Sequence, residues 1–498
     1  MVEELTKDCK KSYGQILKRT AVFGSVKMFS VLVGLFKAKI IAIFLGPTGM
    51  GIFNLINYPI TLVSQFSGLG ISTSGVREIA QVQSEKELSE IAVVIRYWNR
   101  TLGIIGSLLL FGFAPYVSMI SFGDDSYTWA FQVLSVVVFL TNLGGEYEVL
   151  LRGRRETKLV AKAGFYSSLV GFIASIPFYY AFGIPGIIVV ILITALTLAS
   201  INYLYARKLN IQPIKLSYRE IFMRGQNMAS IGFFIVLGDL IFVSVITIVN
   251  TFIRSNGGIE DVGYFQACMQ ITQSSINIVL IAMAADYFPR LSSLQANSKE
   301  TSIIASQQAE VATLLCAPIL ITLIVFIPYV IKILLSEEFI CIEKAISWFL
   351  IGSIFRLPSW AMNFVVLAKG KTKLYVMFVV VNNLLLLPLY CIGYMLYSIE
   401  GIGMSYIVLM ILYTVIQNII VKKELDVAFE KYFWRVYIYG VVLTLLTFIV
   451  VVIENIFFKI AVSAILLLLS YMYSIKLLNQ KTDFLNKIKN KLNGKAIK

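Results

Sequence analysis

The chain contains no histidine. That absence removes imidazole as a metal ligand, as the base of a Ser-His or Cys-His couple and as a proton relay. Charge is scarce as well: Asp, Glu, Lys and Arg make up 14% of the 498 residues, where a soluble domain carries about a quarter. Acids are the scarcer sign, 28 against 43 Lys+Arg, which leaves a formal charge of +15. The five cysteines (Cys9, Cys268, Cys316, Cys341, Cys391) lie far apart with no CxxC pair, which argues against a zinc or disulfide framework. What is abundant is apolar: 58% of the residues are hydrophobic and the mean hydropathy is +0.80. The composition implies an all-α polytopic membrane protein whose work is movement and not bond chemistry.

Long apolar stretches recur between short polar breaks at 20–45, 50–71, 101–120, 127–151, 161–181, 187–205, 228–252, 263–288, 303–335, 345–368, 374–397, 401–421, 434–452 and 456–477. With ~20 apolar residues needed per crossing, these amount to about 14 transmembrane helices. None has the ten-residue alternation of an outer-membrane barrel. The weakest division is the fifth from the sixth, where the only turn signal is Gly183-Ile184-Pro185-Gly186.

Cations set the orientation of such a chain. With the N-terminus cytoplasmic, the outer loops and flanks hold only Arg254, Lys332, Lys344 and Lys459, and collect Asp124, Asp125, Glu260, Asp261, Glu337, Glu338, Glu343, Glu400 and Glu454. Both termini are therefore expected on the cytoplasmic side. The surplus of positive charge calls for no nucleic acid. Arg152-Gly153-Arg154-Arg155 and the tail lysines Lys487, Lys489, Lys491, Lys495 and Lys498 read as topology anchors attracted to anionic lipid, with a partner-binding tail as the alternative. The basic segment before the first span is not a cleavable signal, because that span is too long and has no small-residue cleavage pattern.

The two halves echo each other. Gly51-Ile52-Phe53 is matched by Gly263-Tyr264-Phe265, Arg77 by Arg290, Lys86 by Lys299, Arg152-Gly153 by Lys369-Gly370, and Ile184-Pro185-Gly186-Ile187 by Ile399-Glu400-Gly401-Ile402. The repeat unit is six spans. Since six is even, both copies enter from the same side and are related by a pseudo-two-fold along the membrane normal. The division expected is an N-lobe over 1–223, a C-lobe over 224–421, and the last two spans with the basic tail over 422–498. Two such bundles around a central cavity suit alternating access; a shared rhythm of loops without common architecture is the competing explanation.

Charge at mid-membrane depth is costly, roughly 2.5–3.5 kcal/mol per residue on insertion scales, and so marks a cavity or a partner. The first span carries Lys27, Lys37 and Lys39, with Gly34 as a bend site, and Arg356 lies near the centre of the tenth. Lysine stems can also snorkel. Asp239, midway along the seventh span, is either the structural partner of Arg356 or an ion-coupling site. Glu146, Glu148, Asp286 and Glu310 sit nearer span ends and read as interfacial. Gln266, Gln270, Gln273 and Asn277 follow one helical face, as a cavity wall or as interhelical glue. The balance at mid-depth leans positive, which favours an anionic solute over a cationic drug.

Phe44-Leu45-Gly46-Pro47-Thr48-Gly49-Met50-Gly51-Ile52-Phe53 resembles the first outer turn of Wzx-type O-antigen and polysaccharide flippases, members of the multidrug/oligosaccharidyl-lipid/polysaccharide exporter superfamily. Gly68-Leu69-Gly70-Ile71-Ser72-Thr73, Arg77-Glu78-Ile79-Ala80 and Tyr287-Phe288-Pro289-Arg290-Leu291-Ser292 fit the same pattern. The resemblance covers the whole length, since twelve repeated spans plus two is an architecture of that superfamily, but its motifs are structural turns. It implies movement of an undecaprenyl-diphosphate-linked oligosaccharide from the cytoplasmic to the outer leaflet of a bacterial inner membrane. It also implies a cationic cavity and coupling to a proton or sodium gradient, with no cofactor. No family motif surrounds the mid-span charges, so their roles rest on their own chemistry: Lys27, Lys37, Lys39 and Arg356 are expected to attract the diphosphate or acidic sugars, Gln266, Gln270, Gln273 and Asn277 to line the cavity, and Asp239 to exchange the ion. The expected partners are the lipid-linked oligosaccharide, membrane lipids and polysaccharide-assembly proteins. The alternative on the same scaffold is a drug/cation antiporter. An enzyme would need a large catalytic outer loop, and the outer loops here are short.

Overall fold

A computed structural model describes the backbone of residues 2–82, 84–212, 214–294, 297–453 and 455–482, and the side chains of these from residue 33 onward except 285, 456 and 482. The elements are α1 (Val2–Gly68), α2 (Ile71–Gln81), α3 (Glu85–Phe122), α4 (Thr128–Gly153), α5 (Thr157–Phe182), α6 (Gly186–Arg207), α7 (Tyr218–Gly257), α8 (Ile259–Ser292), α9 (Ser298–Leu334), a 3-10 turn (Glu337–Ile342), α10 (Glu343–Ala368), α11 (Thr372–Leu425), α12 (Lys431–Val452) and α13 (Ile456–Thr482). Among the described residues there is no strand. Backbone polar groups in hydrocarbon have no water to bond, so a chain this apolar satisfies them within helices.

Twelve of these helices are long and apolar enough to cross a membrane. Two are broken by a residue of positive φ: α1 at Gly46 (φ 61°, ψ −163°) and α11 at Ser398 (φ 50°, ψ −135°), which follows the non-helical Tyr397. Each supplies two passages, so the spans read separately from hydropathy reappear as continuous helices with one sharp turn. Gly46 is required there twice over, because a Cβ would lie 2.6 Å from Glu338 Oε2 and its φ is strained for any other residue. At the second turn a Cβ on Gly401 would run into the Gly393 carbonyl, so the two legs of α11 pack directly against each other. α9 is distorted at Phe326, two residues before Pro328, as expected where proline removes a helical hydrogen bond.

The chain divides into two compact units. One comprises Leu32–Ala267 with Leu334–Glu338; the other is built chiefly from Cys268–Ile333 and the chain from Phe339 onward. In the first, the short amphipathic α2 packs Ile71 and Ile79 against Leu88, Ile91 and Ile95 of α3, Val149 and Leu150 of α4 and Met228 of α7. Close backbone approaches hold the same unit together. Cβ atoms on Gly51 and Gly263 would strike the Ile259 and Pro47 carbonyls, and one on Gly70 would strike Gly232. Gly51 and Gly263 are counterparts in the internal echo, and they meet where α1 and α8 touch. In the second unit α9 packs on α12 and α13 through Ile321, Leu443, Val450 and Leu466, and through Leu314, Val436 and Leu478. Ser302 and Ser306 of α9 accept hydrogen bonds from the Ala428 and Glu430 amides, which ties down the link into α12.

Both units turn large apolar side chains outward, among them Leu108, Phe113, Tyr180, Phe234, Met395 and Leu468. Such a sheath is intolerable in water and ordinary against lipid. The chain is a multi-pass membrane protein. At one helix end, Arg254 donates to the Ser121 and Ile120 carbonyls and so satisfies the last turn of α3. Beside it, hydrogen bonds from Ser126 to Asp124, reinforced by Arg254, hold the Asp124 carboxyl below its usual range.

Candidate functional site

In the first unit, Lys37 of α1 is half-buried, and its ammonium fits a notch at Gly171 of α5, where a Cβ would lie 2.6 Å from Lys37 Nζ and would also strike Thr194 Oγ1 of α6. The walls of the notch are already bonded: Thr194 donates to the Val190 carbonyl at 2.7 Å and Ser167 donates to the Thr194 carbonyl at 2.9 Å. Among the described residues Lys37 makes no hydrogen bond or ion pair. Lys39 behaves differently. It reaches the carbonyl of Leu335, at 3.5 Å, beyond the C-terminal end of α9, where helix carbonyls favour a cation. The Lys27 side chain lies outside the described residues.

Gln266 is not available to a solute. It is buried, donates to Asn250 Oδ1 at 2.8 Å and accepts from Tyr58 OH at 3.4 Å, so it joins α8 to α7 and α1. Here the polar stripe is glue. Its continuation, Gln270, Gln273 and Asn277, belongs to the second unit and is half-buried. Asp239 is exposed on α7 and forms no ion pair among the described residues.

In the second unit, Arg356 of α10 is half-buried and also has no ion pair among the described residues. It lies within electrostatic reach of the Tyr390 and Tyr413 phenols of α11. One and two turns further on the same face of α10 come Trp360 and Asn363. Asn363 Oδ1 accepts from Gln417 Nε2 at 2.7 Å and from Tyr413 OH at 3.2 Å. Trp360 stacks on Tyr287 at 5.8 Å, and Tyr287 donates to the Ala361 carbonyl at 3.0 Å. An arginine on the helix face that also carries Trp360 and Asn363, with no ion pair to a carboxylate among the described residues, is suited to an anion with several oxygen acceptors. The sequence reading named Arg356 and missed Asn363, Tyr413 and Gln417. Asn363 stands seven residues from Arg356, a helical spacing that could have drawn attention to it.

Three acids read as interfacial are fully buried. Glu146 accepts a forked pair of hydrogen bonds from Arg100 (Nη2 to Oε1 2.8 Å, Nε to Oε2 3.0 Å). Glu310 accepts from Lys481 Nζ at 2.5 and 2.6 Å. Asp286 lies 3.6 Å from Arg290 one turn away. Glu148 alone keeps the expected position, half-buried and paired with Arg152. The first two pairs join separate helices, α3 to α4 and α9 to α13, which no local spacing reveals.

Residues 40–343 match the family described as polysaccharide biosynthesis protein. The chain belongs to that family. The lipid III flippase of Escherichia coli K12 is 20% identical to this family member over 350 residues, 69% of the chain and 83% of the relative. The Shigella flexneri protein of the same name aligns equally. Among solved structures, the lipid II flippase MurJ in an inward closed conformation superposes with a TM-score of 0.74 at 14% identity, covering 92% of this chain and 99% of that one. An inward-facing multidrug resistance MATE family transporter of the MOP superfamily gives 0.68 at 14% identity, covering 80% and 94%. The family member therefore has the fold shared by MurJ and MATE transporters.

Proposed function

We propose that this family member carries an undecaprenyl-diphosphate-linked oligosaccharide repeat unit from the cytoplasmic to the outer leaflet of a bacterial inner membrane, by alternating access coupled to a proton or sodium gradient. The observation that supports this reading is the state of Lys37 and Arg356, two mid-span cations without a carboxylate partner among the described residues. A cation left uncompensated at that depth favours a bound anion, and a diphosphate supplies the charge and the acceptor oxygens. The likeness to lipid III and lipid II flippases supports a lipid-linked cargo. Both termini are cytoplasmic on this reading, because the cations crowd that side. Gln270, Gln273 and Asn277 offer hydrogen bonds to the sugars, and Lys27 and Lys39 add to the attraction.

Asp239 favours a second reading, a drug/cation antiporter, since an exposed mid-span acid also suits a cation. On the flippase reading it exchanges the coupling ion, and Asp239→Asn should change the dependence of export on the proton or sodium gradient; unaltered dependence removes it from that role. The deciding experiment is deletion of the protein, after which lipid-linked repeats should accumulate on the inner leaflet. Unchanged export in the deletion strain, together with efflux of cationic dyes by the purified protein, would establish the antiporter instead.

A further inference from the structure

Away from the mid-span cations, the first unit contains a cleft of about 500 Å³ lined by arginines from two helices. Arg96 and Arg100 project from the first half of α3, Arg207 from the last turn of α6, and Tyr147 of α4 and Tyr203 of α6 form an aromatic wall, their rings 5.2 Å apart and edge-on. Asn210, in left-handed backbone at φ 48°, closes the rim. Among the described residues one of the three guanidinium groups, Arg100, forms an ion pair, and the same Glu146 carboxylate also attracts Arg96. Arg100 is held by buried Glu146 and donates to Tyr147 OH at 3.3 Å. Arg96 has a buried Nε with no hydrogen-bond partner, and neither Arg96 nor Arg207 forms an ion pair among the described residues.

Three acids of α3 and α4 are engaged with other arginines. Glu85 is paired with Arg154, Glu90 with Arg224, and Glu148 with Arg152. The cleft therefore holds two surplus positive charges, carried by planar donor forks that match phosphate oxygens. It lies at the cytoplasmic ends of α3, α4 and α6 on the orientation proposed above, at headgroup depth, where anionic lipid is attracted to basic side chains. Beside it, Tyr203 and Leu204 are exposed, an apolar flank for an acyl or prenyl chain.

We propose that Arg96, Arg100 and Arg207, with Tyr147 and Tyr203, form a binding site for the phosphate-bearing headgroup of a lipid in the cytoplasmic leaflet, separate from the mid-span cations. The site rests on the proposed reading only for its orientation. Its ligand is a lipid phosphate or diphosphate, either the carrier lipid waiting to be moved or a bilayer phospholipid.

The test uses full-length protein in phosphatidylcholine nanodiscs, with farnesyl diphosphate and phosphatidylglycerol as separate probes and native mass spectrometry as the readout. The Arg96→Gln/Arg207→Gln double variant should bind at least one probe tenfold or more weakly than the wild type. Loss confined to farnesyl diphosphate identifies a carrier-lipid site, and loss confined to phosphatidylglycerol a phospholipid site; either supports the proposal. Equal binding of both probes by wild type and variant overturns it. Arg207→Gln alone, at an exposed position in the last turn of α6, guards against misfolding and should weaken binding by about threefold with an unchanged melting temperature. Arg100 is left in place, because its removal would strand Glu146. Transport is not measured, so failure here leaves the flippase reading to its own deletion experiment, and a protein that binds without flipping keeps this site.

Discussion

At the scale of single residues, the protein separates charges that have partners from charges that do not. The Arg100–Glu146 pair closes a buried carboxylate, and Arg100 is 48% exposed. Arg100→Ala leaves Glu146 uncompensated, so its cost should fall between a surface pair and a fully buried one, about 2 kcal/mol. The check is a lower melting temperature in detergent, with most of the loss recovered in Arg100→Ala/Glu146→Gln. Arg356 predicts the opposite pattern. Its removal strands no acid among the described residues, so Arg356→Ala should leave membrane insertion and melting temperature intact while surface glycan export falls at least tenfold. Export at the wild-type level would show that the α10 cation does not meet the cargo. Lys37 belongs with Arg356: a half-buried ammonium in a notch shaped by Gly171 carries an insertion cost that water or an anion must offset.

At the scale of elements, the sharp turns between spans matter more than any helix propensity. α1 and α11 each run through a sharp left-handed turn, at Gly46 and at Ser398. Gly46→Ala should cost about 1–2 kcal/mol from the backbone conformation alone. It also presses a methyl group on Glu338, so the loss should exceed that of a neutral control such as Gly34→Ala, where a Cβ meets nothing. Comparing the two melting temperatures tests it; equal shifts would mean that the turn relaxes freely. The turn motif Leu45-Gly46-Pro47-Thr48-Gly49 was legible in the sequence because the needs of a turn are local. That Gln266 is glue while Gln273 and Asn277 carry no hydrogen bond among the described residues was not legible, because spacing places residues on one face without saying what that face meets.

At the scale of the whole molecule, a natural thiol reports topology. Cys341 is exposed in the 3-10 turn between α9 and α10, whereas Cys268 and Cys316 are buried. With both termini cytoplasmic, a membrane-impermeant maleimide applied to intact spheroplasts should label the protein through Cys341, and with the half-buried Cys391 replaced by Ser, Cys341→Ser should abolish that labelling. Labelling that requires permeabilised membranes would invert the proposed orientation. Hydropathy and charge asymmetry specify crossings and sides because each segment meets the bilayer largely on its own, through its apolar length and flanking cations. The sequence alone therefore determined the helical class, the number of passages and the mid-span charges. Tertiary structure alone decided that Glu146 and Glu310 are buried and paired, that Gln266 is tied, and that Arg96 and Arg207 share one cleft. Those contacts join residues from different helices, and their energies depend on which groups exclude water together.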